Sequence, residues 1–166
     1  MVNLVVAENL GDISEDEVMR VLAPNGVLMA RGLFGWKKTV KQWPEEMDEW
    51  NQYLYSAGNN PVSKDETVGP IRHYQWIGSP RWGRHHDTIA SMSAMVSAQG
   101  RIFYIMDEGP TESIQLPNEN YLVARDAFNG TILWKLPIPE WQNLLFSLKS
   151  GPAYLPRPLV AVGDRV

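Results

Sequence analysis

The sequence contains no cysteine. That excludes disulfides and thiolate-ligated metals, and it leaves the redox compartment undecided. Histidine is scarce, at three positions. His73 stands apart, and the adjacent His85 and His86 point to opposite faces of an extended chain, a poor spacing for one metal. There is no excess of basic charge either: 15 Lys and Arg face 19 Asp and Glu, a formal net charge of −4. The electrostatic footprint of nucleic-acid binding is therefore missing. No apolar run approaches the ~20 residues of a membrane-spanning helix. The first residues lack the basic segment of a signal peptide, and acidic side chains arrive at Glu8 and Asp12. No phosphate loop, nucleophile elbow, Ser–His–Asp set or Cys-x-x-Cys pair can be assembled.

What is present points to a globular, β-rich chain. Hydrophobic residues make up 44% and charged residues 20%, a composition that builds a core rather than a disordered tail. Seven Trp and twelve Pro favour loop-rich β architecture with aromatic wedges over a helical bundle.

The most informative stretch is Leu122-Val-Ala-Arg-Asp-Ala-Phe-Asn-Gly-Thr-Ile-Leu-Trp134. Asn129-Gly130 lies between two apolar segments and predicts a β-hairpin with a two-residue type I′ turn, which needs positive φ at both turn positions. Read from the residues alone, such a hairpin would serve many β domains. Upstream, Ala94-Met-Val-Ser-Ala98 and Arg101-Ile-Phe-Tyr-Ile-Met106 flank Gln99-Gly100 and predict a second hairpin. Together they give four antiparallel strands in succession. Residues 159–166 repeat the character of residues 95–102 at an offset of 64, as from Arg101 to Arg165. That exceeds the ~40–50 residues of common β repeats, and a Pro-rich insertion over 137–158 accounts for the excess.

The first 43 residues read differently. Val2-Asn-Leu-Val-Val-Ala7 predicts a strand buried on both faces. Ser14 and Glu17 form a capping box, with Ile13 and Val18 as a hydrophobic staple, ahead of a helix over 15–22. Pro24-Asn25-Gly26 ends it and a strand follows over 27–30. Pro44 and the carboxylates behind it predict another helix start. Arg81-Trp-Gly-Arg-His-His-Asp87 is the richest cluster of chemistry-capable side chains.

Two resemblances follow from these residues. Ala124, Asp126, Gly130 and Trp134 match Ala-x-Asp-x-x-x-Gly-x-x-x-Trp, and here the chain resembles PQQ-type (quinoprotein-like) β-propeller repeats, with Asn129 where the family usually has Thr. The resemblance implies that Trp134 wedges against a neighbouring blade, Ala124 makes room and Asp126 ties down the turn. It implies a lead-in over 50–76, and a rim on which Arg81, Arg84 and either His85 or His86 face an anionic ligand or another subunit. Separately, Val18-Met-Arg-Val-Leu-Ala-Pro-Asn-Gly-Val27 resembles the late segment of class I S-adenosylmethionine-dependent methyltransferases, with Asn25 in place of a Gly. That family's Gly-rich loop and ribose-holding acid have no counterpart here, which leaves Glu8, at a strand end, as the candidate to line a cofactor crevice.

The expectation is a mixed chain: an α/β methyltransferase-like remnant over 1–43, a junction over 44–93, and a propeller blade with the start of a second over 94–166. One blade and a piece cannot close a ring of four or more blades, so the sequence reads as a fragment of a longer bacterial protein, periplasmic or cytoplasmic. The expected partners are the parent's remaining blades and methyltransferase strands, with no nucleic acid and no membrane span. The leading functional expectation is a non-catalytic binding or scaffold module without cofactor or metal of its own. The alternatives are part of a quinoprotein-type dehydrogenase, with PQQ in the parent, or the end of a methyltransferase using S-adenosylmethionine.

Overall fold

The computed structural model describes residues 1–81, 83–84, 91–113, 115–139 and 157–166. The chain is mostly β, with two open sheets and one helix among the described residues. It divides into two compact units: Met1–Met47 with Glu66–Ile71, and Asp48–Asp65 with Arg72–Val166.

In the first unit, β1 (Val2–Ala7) pairs in parallel with β2 (Leu22–Gly32), and α1 (Glu15–Val21) makes the crossover. β3 (Gly35–Val40) returns antiparallel along β2. Ser14 caps α1 by accepting from the Glu17 amide at 3.2 Å. The rest of the predicted box does not form, because the Glu17 carboxylate takes two 2.7 Å bonds from Arg20 instead. Ile13 is exposed and takes no part in the cluster around Val18, against which Leu10 packs instead. Val18, Leu22 and Leu28 form the core, with Val5, Met19 and Ala30 around them. One seven-residue helix covers one sheet face, so the doubly covered α/β layer expected here is not what forms. Leu4 and Val6, on the other face of β1, are 57% and 60% exposed. A continuous apolar run leaves open whether one face or two is covered.

The second unit is an antiparallel meander in sequential order: β4 (Met92–Ala98), β5 (Arg101–Asp107), β6 (Asn120–Asp126) and β7 (Ile132–Ile138). The register places Val96, Phe103, Ala124 and Trp134 in one row across the sheet. Met95, Tyr104, Val123 and Lys135 form the adjacent row on the opposite face. The first face packs with Leu159 and Ala161 into the larger core, and Tyr104, Met106 and Val123 form a smaller one on the second. Gln99 and Gly100 have φ of 49° and 71°, so the β4–β5 hairpin turns at the Gln-Gly pair that the sequence suggested, with positive φ at both positions.

The expected junction is not a separate element. Residues 48–65 and 72 onward belong to the sheet unit. Residues 44–50 form no helix; they make one turn, closed by the Met47 amide on the Pro44 carbonyl, and continue without regular secondary structure. The Trp50 amide donates to the Ser97 hydroxyl at 2.8 Å, and the Trp50 carbonyl accepts from the Ser97 amide at 2.7 Å. Pairing alongside β4 thus outweighs the local preference of Pro44 and its carboxylates for a helix start.

Candidate functional site

Around the central hairpin, Asp126 organises the turn. Its carboxylate accepts from the amides of Phe128 at 2.8 Å and Asn129 at 3.0 Å, its carbonyl from Gly130 at 3.0 Å, and its own amide donates to the Thr131 carbonyl at 2.9 Å. Four residues therefore span the loop, rather than the two expected from Asn129-Gly130, and only Gly130 among them has positive φ, at 76°. Four bonds gathered on one residue outweigh the preference of Asn-Gly for a tighter turn.

The lead-in segment caps this loop from outside. It forms no strand between residues 72 and 81. Instead, the Trp76 indole N–H donates to the Ala127 carbonyl at 2.8 Å and the Gln75 side-chain Nε2 to the Phe128 carbonyl at 2.6 Å. The indole lies so close to Gly130 that a β-carbon there would stand 2.6 Å from two of its ring atoms.

Ala124 is fully buried, between Phe103 and Trp134 in their row. Trp134 tilts against Phe103 with ring centroids 6.0 Å apart. It is 40% exposed, so within this chain it is not the buried wedge expected from the motif. Its strand, β7, is the sheet edge, and Ile132, Leu133 and Leu136 on it are exposed as well.

The remaining candidate residues do not converge. Arg84 turns inward: its side chain is 1% exposed and stands 3.1 Å from the fully buried Asp107 carboxylate. Its two terminal nitrogens also donate to the carbonyls of Ser113, Leu116 and Pro117, while its buried Nε has no hydrogen-bond acceptor. It is a structural cation, not a ligand-facing one. Arg81 is exposed, and His85 and His86 lie outside the described residues. Glu8 is an exposed side chain 3.8 Å from Arg31, an ion pair of small energetic value. Among the described residues no three His, Asp or Glu side chains converge to hold a metal.

Sequence reasoning passed over Arg125, which occupies the free position of Ala-x-Asp. Arg125 is 4% exposed, and its guanidinium makes four hydrogen bonds, to Ser79 and Gly130 carbonyls at 2.7 and 2.6 Å and two to the Tyr104 hydroxyl at 3.2 and 3.0 Å. It also lies 5.6 Å from the Trp76 ring centroid and 5.9 Å from that of Tyr104. A cleft of about 200 Å³ opens beside it, walled by Trp76, Met92, Met95, Ile102, Tyr104 and Met106. Nothing in the local sequence signals this arrangement, which depends on strand register and on the return of residues 76–80.

A second polar centre is Asp48. The Tyr55 hydroxyl, followed by the Lys64 and Glu49 amides and the Ser63 hydroxyl, holds its carboxyl below the ordinary range against a smaller opposing effect of burial. The lowered value makes the ionised form the one that stabilises the 48–65 loop. That contribution is complete above the unfolded value of ~3.9 and is lost as pH falls through the lower folded value. An NMR titration should show the Asp48 carboxyl ionising below the ordinary Asp range and the Tyr55 ring shifts following it with the same midpoint, while the Tyr55 hydroxyl itself ionises above its ordinary value because it donates to Asp48. Independent transitions would refute the coupling.

No protein-family model, curated protein or solved structure matches the chain.

Proposed function

We propose that the chain is a repeat-built β scaffold: one propeller-type blade and the first strand of the next, presenting surfaces for association and holding no active site of its own. The observation that carries this reading is the placement of the second repeat copy. Leu159 and Ala161 bury against the β4–β7 face, in the cluster that contains Val96, Phe103 and Ala124. The two copies also turn alike: Ala98 pairs with Arg101 across a two-residue loop, and Val162 pairs with Arg165 at the same offset of 64. Face-to-face packing of successive copies is what a chain of blades requires, since each sheet leaves an apolar face that a neighbour must cover. The exposed apolar edge at β7 fits the same reading, with Trp134 placed to receive a further element.

Ala161 is fully buried, so Ala161→Asp tests the packing directly. It places a charge in an apolar cluster and is expected to lower stability by more than about 2 kcal/mol, read as a shifted urea midpoint of tryptophan fluorescence. An unchanged midpoint would mean that the second copy does not pack on the first, and the repeat reading would fall. Saturable binding of PQQ to the purified chain would favour the dehydrogenase reading instead.

A further inference from the structure

We infer that the cleft beside Arg125 binds a small monocarboxylate with an apolar body. A buried cation normally sits against a carboxylate, because desolvation of an isolated charge is costly. Arg84 follows that rule with Asp107. Arg125 does not: its four bonds go to two backbone carbonyls and one neutral hydroxyl, and no carboxylate among the described residues lies within ion-pair distance. A guanidinium has five N–H donors, so one remains without an acceptor.

The cleft supplies the other half of the recognition. Its lining beside the arginine is mostly apolar: Met92, Met95, Ile102, Tyr104 and Met106 from the sheet, and the Trp76 ring from the lead-in segment. Met92 and Met95 are about half exposed, so the mouth opens to solvent. Its volume, about 200 Å³, falls below the ~300–1,000 Å³ of drug-sized pockets and suits a single-ring acid. Flexible methionines can close over such a ligand. Gly78 lets the segment approach, because a β-carbon there would stand 2.5 Å from the Arg125 guanidinium.

The test uses the whole chain labelled with ¹³C at the methionine methyls, titrated with phenylacetate and with its neutral analogue phenylacetamide. Phenylacetate is expected to shift the Met92, Met95 and Met106 signals saturably, and to bind about tenfold or more tightly than the amide, the value of one hydrogen bond to a charged group. Met95→Glu puts a negative charge at the solvent-facing mouth, and is expected to abolish the shifts at the remaining methionines while leaving the melting temperature unchanged. The proposal is overturned if phenylacetate leaves these methyls unmoved at millimolar concentrations, if the amide binds equally well, or if Met95→Glu binds as the parent does.

Discussion

Asp107→Ala is expected to destabilise the sheet unit by about 3–5 kcal/mol, the usual cost of leaving one partner of a buried ion pair uncompensated. Both side chains are essentially inaccessible, at 1% for Arg84 and 0% for Asp107, and their closest approach is 3.1 Å. The carboxylate also accepts from the amides of Gly109 and Glu119, each at 3.0 Å, so it holds both ends of the β5–β6 connection. Removing it would strand a guanidinium among the carbonyls of Ser113, Leu116 and Pro117 and leave two backbone donors, those of Gly109 and Glu119, unmatched. The measurement is urea unfolding of Asp107→Ala, Arg84→Met and the double variant. Because the double variant holds no lone charge, its cost should fall short of the sum of the singles by more than about 1 kcal/mol. Strict additivity, or a loss under about 1 kcal/mol for Asp107→Ala, would show a hydrated pair that organises nothing.

This pair also shows where the sequence stops being readable. Arg84 lies in a cluster of cations and histidines that looks like a ligand-facing rim, and Asp107 precedes Glu-Gly-Pro and looks like a turn marker. Each is reasonable locally. Their meeting depends on a separation of 23 residues and on a loop that wraps the guanidinium, neither of which has a local signal. The meander was legible because its evidence is local: apolar segments on either side of Gln99-Gly100, the pair at which the chain does turn. Ser14 as a helix cap was legible for the same reason. Trp134 was legible as a motif position but not in its exposure, which depends on what lies next to β7. Arg125 was invisible, because a pattern that fixes Ala124 and Asp126 leaves the residue between them free, and alternation along β6 turns it to the opposite face. The Val2–Ala7 strand was found, whereas its burial was overestimated, since apolar character does not state how many layers cover a sheet.

Gly130 separates local turn chemistry from tertiary packing, and Gly130→Ala is expected to cost about 2–5 kcal/mol. Part of this is conformational. A residue with a β-carbon in the left-handed region costs ~1–2 kcal/mol, and φ here is 76°. A turn glycine with no neighbour would lose no more than that. The rest comes from Trp76: the new β-carbon would stand 2.6 Å from Cδ2 and Cε3 and 3.0 Å from Cγ, the base of the indole and not a flexible tip. The ring cannot retreat freely, since its N–H is bonded to the Ala127 carbonyl and its face lies against Arg125. Overpacking of this kind costs ~1–3 kcal/mol. The two parts are separable by repeating the substitution in a Trp76→Leu background, where the clash is gone and only the conformational cost of about 1–2 kcal/mol should remain. Urea unfolding of the four proteins gives the coupling directly. If Gly130→Ala costs the same in both backgrounds, Trp76 does not press on this turn, and the lead-in segment would not be what makes glycine necessary there.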